Sequence, residues 1–492
     1  VSAPPYTESM TARFSKREFL AALLASAGTA SVAAPLERSL RPALRGAEFH
    51  KKAAPGFERI LADARLNGDV SFAVADIGTG AVREHHDLDM RMAPASVTNA
   101  LTALYALDAL GAAHRFETRL VATGPINNGR LNGDLVLVGG GDPTLDTEDL
   151  GKLAAALKSA GVREVRGAFK VADGALPRVR SISEEQPDHV GYSPAVSGIA
   201  LNFNRVHFER KRGANGYAVT MDARTKNYRP EVATARMRVV DRQLPVYTYR
   251  AAGDIDEWTV ARSALGKGGA RWLPVRNTAD YAGDVFRTLA RANGIVLPKA
   301  GLTRRVPGGT VLARHHSPDL QTILRGMLKF SNNLTAEMVG LSATAARTGG
   351  ADTLRGSANQ MNEWAANRFD VRGVKVVDHS GLGSASRVTA GALVQVLANR
   401  RARSLLDPLM KTIPIRDANG RPIKGHPLSV RAKTGTLNFV SCLAGYAEAD
   451  GQPDLAFAIL ASDEDTRAKI GRANREATSG ARAEPVDHAD QR

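Results

Sequence analysis

Three short segments of the 492-residue chain carry side chains suited to acyl transfer. Pro94-Ala-Ser96-Val-Thr-Asn99 offers a hydroxyl, Ser331-Asn-Asn333 a second hydroxyl beside two carboxamides, and Lys433-Thr-Gly-Thr436 a cation between hydroxyls. Ser96 lies at the start of an apolar run in which Val97, Leu101, Leu104, Tyr105, Leu107 and Leu110 recur at helical spacing, and Gly111 supplies a stop. The spacing predicts a helix over 95–111. A serine at a helix N-terminus meets unpaired N–H groups and the positive end of the helix dipole, which favour negative charge on an attacking oxygen. Asn99 falls three residues on, on the same face and within reach of the Ser96 hydroxyl. Singly, such tripeptides arise by chance; their order and their separations of 235 and 102 residues make the joint occurrence specific.

Other nucleophile and ligand candidates are weaker. Gly191-Tyr-Ser193-Pro-Ala195 resembles a Gly-x-Ser-x-Gly elbow. The elbow needs a backbone N–H on the residue after the serine, and Pro194 has none. The pairs His85-His86 and His315-His316 lack helical ligand spacing and companion carboxylates, so they read as surface residues, and no metal site is expected. Cys442 is the only cysteine, which excludes an intrachain disulfide and a cysteine-based zinc site; in its apolar run it reads as a buried core thiol.

The elements that must position these groups are legible in outline. Val70–Asp76 alternates like a strand and turns at Gly78-Thr-Gly80. From about 116 to 276 the texture becomes short β-like runs, such as Asp134–Gly139 and Gly216–Met221, between Gly, Asn and Pro turns. Helical patterns return at Tyr281–Asn293, Leu320–Phe330, Leu334–Thr348 and Ala390–Ala398. Val430–Thr436, Phe439–Ala447 and Leu455–Ala461 then read as closing antiparallel strands, the last two joined by an Asp450-Gly451 turn. No internal repeat is visible, and residues 471–492 are predicted to be a disordered tail.

Taken together, the serine, Ser-x-Asn and Lys-Thr-Gly segments resemble those of penicillin-interacting enzymes. With the long insert after the nucleophile helix, Gly139–Leu145, Asn202-Phe-Asn204, Asp378–Gly383 and Arg387-Val-Thr389, the chain is similar to the penicillin-binding protein 4 type of D-alanyl-D-alanine carboxypeptidase and endopeptidase over about residues 55–465. The resemblance implies an α/β (α+β) fold: a transpeptidase/β-lactamase-like domain whose antiparallel sheet is flanked by helices. That domain would be assembled from 35–115 and 310–465 around a β-rich insertion at 116–309. Its implied chemistry is cleavage of the terminal D-Ala-D-Ala bond of peptidoglycan stem peptides through an acyl-enzyme on Ser96, with β-lactams as covalent inhibitors and no cofactor. Ser331 and Asn333 would relay a proton and position the base and substrate, while Lys433, Thr434, Gly435 and Thr436 would form the strand that receives the substrate's terminal carboxylate. The N–H groups of Ser96 and Thr436 would form the oxyanion hole. The family carries its general-base lysine at position 99. Here it is Asn99, whose carboxamide takes no proton near pH 7 but can hydrogen-bond Ser96. The alternative is therefore a catalytically impaired, peptidoglycan-binding pseudoenzyme of the same fold.

Composition narrows the partners. Lys and Arg exceed Asp and Glu by 16, and 8 of that excess lies in 201–276, which points to an anionic partner or a solvated face. Aromatics at 5% argue against a stacking-based nucleic-acid binder, and no nucleic acid is expected. Arg13, Lys16 and Arg17 before the small, apolar run Phe19–Ala34 read as an export signal of Sec or Tat-like type spanning 1–34. The expected location is the periplasm, soluble or peripheral to the membrane, and the anionic partner is an envelope polymer.

Overall fold

The computed structural model describes residues 56–417 and 419–469. Residues 1–34, read as an export signal, and 471–492, read as a disordered tail, lie outside the described residues. Two distant stretches of chain build the sheet that carries the site. Asp69–Asp76 (β1) is buried from Val70 onward and turns into Val82–His86 (β2), a more exposed partner. The other strands are Lys411–Thr412 (β3), Leu428–Leu437 (β4), Val440–Ala449 (β5) and Leu455–Ser462 (β6). They run in the order β3-β4-β5-β6-β1-β2, every neighbouring pair antiparallel. Pairing of β1 with β6, from Asp69↔Ser462 to Asp76↔Leu455, joins the two stretches.

Helices Thr98–Leu110 (α1), Leu320–Phe330 (α2), Asn333–Thr348 (α3), Leu354–Phe369 (α4) and Ala390–Ala398 (α5) pack beside this sheet. Every residue of α1 from Thr98 to Leu107 is buried, so it is a central helix and not an amphipathic one facing solvent. Leu101, Leu104 and Tyr105 share one apolar core with Val339, Met361, Trp364, Leu393 and Leu460. Fully burying each of these leucines contributes about 1.5–3 kcal/mol. The sequence reading missed α4. Its buried stripe, Ser357, Ala358, Met361, Trp364 and Ala365, has helical spacing but is half small or polar, so its apolar signal is weak.

A second core runs through Leu120, Leu137, Leu153, Phe169, Phe208, Trp258 and Phe286. Its central sheet orders Ala300–Thr303, Phe169–Ala172, Leu135–Val138, Glu117–Ala122 and Thr310–His316, and two of the pairings are parallel. Parallel neighbours need crossovers, and the helices Thr147–Ser159 and Thr278–Ala292 lie beside this sheet. The first was not foreseen. Its signal was a capping box, in which Asp146 accepts from the Asp149 N–H while the Asp149 carboxylate accepts from the Asp146 N–H. Three three-stranded sheets complete this part of the chain. Many of its cations are neutralised locally: Arg224 pairs with Asp222 and Glu209, Arg250 with Glu257, and Arg262 with Asp241.

Candidate active site

The predicted helix at 95–111 is split. Ala95–Val97 forms a single 3-10 turn, and the α-helix begins at Thr98. Ala95 holds φ 46°, the left-handed region that alanine seldom occupies, so the residue before the serine is strained. Two glycines lie against this turn. A Cβ on Gly435 of β4 would lie 2.8 Å from the Pro94 carbonyl oxygen and 3.1 Å from the Ala95 Cβ, so only glycine lets that strand approach so closely. Gly381, at φ 76°, sits so near that a Cβ would overlap the Ala95 carbonyl oxygen. Gly381→Ala is therefore expected to push the turn out of place. Acylation by a labelled penicillin should fall more than about tenfold, and the melting temperature should drop by several degrees from about 1–3 kcal/mol of strain. Unchanged labelling would show that the turn tolerates displacement.

Ser96 is half-buried, and its hydroxyl makes no hydrogen bond among the described residues. Asn99 is completely buried on α1, and neither its Oδ1 nor its Nδ2 has a partner. The hydrogen bond expected between Asn99 and Ser96 is therefore not formed. An unsatisfied buried polar group costs about 1–3 kcal/mol, so position 99 is a poor place for a carboxamide. The Thr98 hydroxyl is buried and unpartnered as well.

Lys433 and Ser331 do meet. Lys433 is 1% exposed, and its Nζ donates to the Ser331 Oγ and, at 2.6 Å, to the Thr434 carbonyl. Burial, with a smaller contribution from the Lys411 charge, lowers its pKa from 10.5 to about 7. Ser331 sits at φ 58°, where α2 ends, and this left-handed residue turns the chain directly into α3. Asn332 caps α3 by accepting the Thr335 N–H at 2.9 Å. Asn333, expected to face base and substrate, donates from Nδ2 to the Tyr192 carbonyl at 2.9 Å and so ties α3 to the 188–193 loop. Thr434 is half-buried, Thr436 exposed and Gly435 buried, in register with Leu443, Ser441 and Cys442 of β5.

Sequence reasoning missed the support beneath these groups. Glu337 of α3 is fully buried and accepts the N–H groups of His379 (3.0 Å) and Ser380 (2.9 Å). Asp378 accepts those of Gly381 (2.7 Å) and Gly383 (2.6 Å). Burial, and for Glu337 the nearby Asp378 charge, raises both carboxyls above their usual range. The neutral His379 ring, held near pKa 3 by burial, meets the Ser357 hydroxyl at 2.7 Å, and its carbonyl accepts from Thr102 of α1 at 2.6 Å. This network connects α1, α3 and the Gly381 loop. The resemblance singles out the Asp378–Gly383 segment without this role, and the signal for Glu337 is a carboxylate four residues past Asn333 inside an apolar helix pattern.

The remaining candidates separate cleanly. Ser193 is buried and bonded to the Ser181 hydroxyl at 2.9 Å. Cys442 is a buried thiol whose Sγ lies 3.3 Å from the Ala93 carbonyl oxygen. His315 corrects the surface reading: tertiary contacts bring its Nε2 to 3.6 Å from both Asp142 and Asp149. These partners lie more than 160 residues away in sequence, so no local pattern could reveal them. Among the described residues, no group of three or more His, Cys, Asp or Glu side chains could hold a metal ion, and no helix is long and apolar enough to cross a membrane.

Comparison with known proteins gives the geometry a context. A profile of the D-Ala-D-Ala carboxypeptidase 3 (S13) family matches residues 54–483. The D-alanyl-D-alanine carboxypeptidase of Actinomadura sp. (strain R39) is 29% identical over 440 residues, covering 82% of this chain and 79% of its own. The D-alanyl-D-alanine carboxypeptidase DacB of Haemophilus influenzae is 26% identical over 413 residues, with 77% and 82% covered. The crystal structure of penicillin binding protein 4 (dacB) from Haemophilus influenzae shares the fold, with a TM-score of 0.66 at 21% identity over 84% of this chain and 96% of that one.

Proposed function

From the premise that the chain belongs to the D-Ala-D-Ala carboxypeptidase 3 (S13) family, we propose that it opens the terminal D-Ala-D-Ala bond of peptidoglycan stem peptides through an acyl-enzyme on Ser96, with Lys433 acting through Ser331 in place of a base at position 99. The contact between the Lys433 ammonium nitrogen and the Ser331 hydroxyl carries this reading. With a pKa near 7, Lys433 is substantially neutral at physiological pH and able to accept a proton. Ser96 Oγ attacks the carbonyl carbon of the penultimate D-Ala and passes its proton to Ser331, which passes its own to Lys433. The developing oxyanion is held by the Ser96 and Thr436 N–H groups. Return of the proton to the leaving amine expels D-Ala, and water, losing a proton by the same route, hydrolyses the ester and regenerates Ser96. Thr434 and Thr436 offer hydroxyls to the substrate carboxylate, and Gly435 lets the strand lie against the nucleophile turn.

A β-lactam presents the same carbonyl in a strained ring, and penicillin binding protein 4 from Haemophilus influenzae has been crystallised with one. The family's substrate lies outside the cytoplasm; the reading of 1–34 as an export signal to the periplasm agrees with this. One observation favours a second reading. The buried Asn99 carboxamide pairs with nothing, as expected where a proton acceptor was lost and only a stem-peptide-binding pseudoenzyme remains. Incubation with a fluorescent penicillin, followed by peptide mapping, separates the two. Slow label on Ser96, absent from Ser96→Ala, together with release of D-Ala from a stem pentapeptide, is the expected result. Stem-peptide binding with neither label nor release would establish the pseudoenzyme.

A further inference from the structure

Between α4 and the two-residue ladder Val374–Lys375/Arg387–Val388 lies a pocket of about 310 Å3 that no part of the acyl-transfer reading uses. Its walls carry four cations, Arg91, Arg372, Lys375 and Arg387, against one carboxylate, Glu363. We propose that this pocket is a phosphate-binding site, taking the phosphodiester groups of a soluble anionic polymer.

Three observations carry the proposal. First, three of the four cations are uncompensated. Arg91, Arg372 and Lys375 form no ion pair within 4 Å and no side-chain hydrogen bond among the described residues. Glu363 accepts from Gln360 at 3.3 Å, and Arg387 reaches only Glu464, at 3.5 Å, besides the Ser384 and Ser386 carbonyls. Arg224, Arg403 and Arg431, by contrast, are each paired with carboxylates.

Second, Lys375 and Arg387 are direct cross-strand partners. Like charges opposite each other destabilise a ladder, and this one is only two residues long on each strand. An anion between them turns that cost into attraction.

Third, the walls are held in place. The Asn362 carboxamide of α4 accepts the Val376 N–H at 3.0 Å and donates to the Val376 carbonyl at 2.9 Å, fixing the helix to the ladder. Met92 and Val388 exchange backbone hydrogen bonds of 2.9 and 2.8 Å, holding Arg91 at the rim. Three guanidinium forks and an ammonium around a small volume suit a tetrahedral oxyanion that accepts from several directions, whereas a single carboxylate would leave most of the charge unmet.

The test compares two triple variants of equal charge in the full chain. One removes pocket cations (Arg91→Gln, Arg372→Gln, Lys375→Gln). The other removes exposed cations from the basic 201–276 stretch (Arg212→Gln, Arg236→Gln, Arg238→Gln). Affinity for poly(glycerol phosphate) at fixed ionic strength should fall at least about tenfold in the pocket variant and less than about twofold in the other. Inorganic phosphate should displace the polymer from the native chain, and polyaspartate of matched charge should bind it more weakly. Equal losses in the two variants, no loss in either, failure of phosphate to compete, or polyaspartate binding as well as the phosphodiester would each overturn the proposal. If the pocket variant melts early, the exposed Lys375→Gln change alone should still weaken binding at least about threefold, and no effect there overturns it equally.

Discussion

Asn99→Lys is expected to raise the rate of acylation by a labelled penicillin by about 10²–10⁴-fold, the usual contribution of a positioned general base. Position 99 is buried on α1 three residues after Ser96, and its present occupant uses neither of its polar atoms. A lysine there has the reach to bond the Ser96 hydroxyl directly, and burial would depress its pKa as it does for Lys433. Stability is expected to change little or to fall, because the orphaned carboxamide, costing about 1–3 kcal/mol, is replaced by a buried amine that carries its own desolvation penalty. Stopped-flow labelling of the native chain beside Asn99→Lys, with Ser96→Ala as the blank, measures this. A rate for Asn99→Lys equal to that of the native chain would mean that the Lys433 and Ser331 pair already supplies the base. No label on Asn99→Lys would remove Ser96 from its proposed role.

The second large effect concerns Lys433. If its neutral form is the working base, native labelling should climb about tenfold per pH unit from pH 5 and level off above about pH 7, following the lowered pKa. Lys433→Met should abolish labelling at every pH, and Ser331→Ala should come close. Stability carries a pH dependence of its own. A lysine whose folded pKa lies below its unfolded value leaves the unfolded chain binding more protons between about pH 7 and 10.5, so the native chain gains stability as pH rises through that window and carries its full penalty below it. Lys433→Met should therefore melt higher than the native chain at pH 7 while losing activity, as expected where function retains a costly buried amine. A flat pH profile of labelling, or a Lys433→Met variant that still labels, would exclude the relay.

Much of the site could be read without coordinates because acyl transfer imposes residue types at defined places. A serine that opens an apolar helical run, a Ser-Asn-Asn turn before another helix and Lys-Thr-Gly in a closing strand are local facts, legible because helix and strand periodicity are local. The same holds for most of the sheet strands, whereas Asn99 stands out only against the lysine that the family resemblance implies at that position. Weakly apolar α4 and the capped Thr147–Ser159 helix escaped, because a stripe of serine and alanine, or a cap, says little until something packs against it.

What the amino-acid order determined by itself was therefore the side chains on offer: two serine hydroxyls, one lysine and no titratable group at position 99. Tertiary structure alone decided how those groups couple. It buried Lys433 against Ser331 and so brought an amine to a pKa near neutrality; it left both Asn99 polar atoms without partners, turned Asn333 toward Tyr192 and set Glu337 and Asp378 under the Gly381 loop. The physical reason is that desolvation and hydrogen-bond satisfaction depend on every neighbour at once, and here those neighbours come from strands and helices up to several hundred residues apart, which no local pattern encodes.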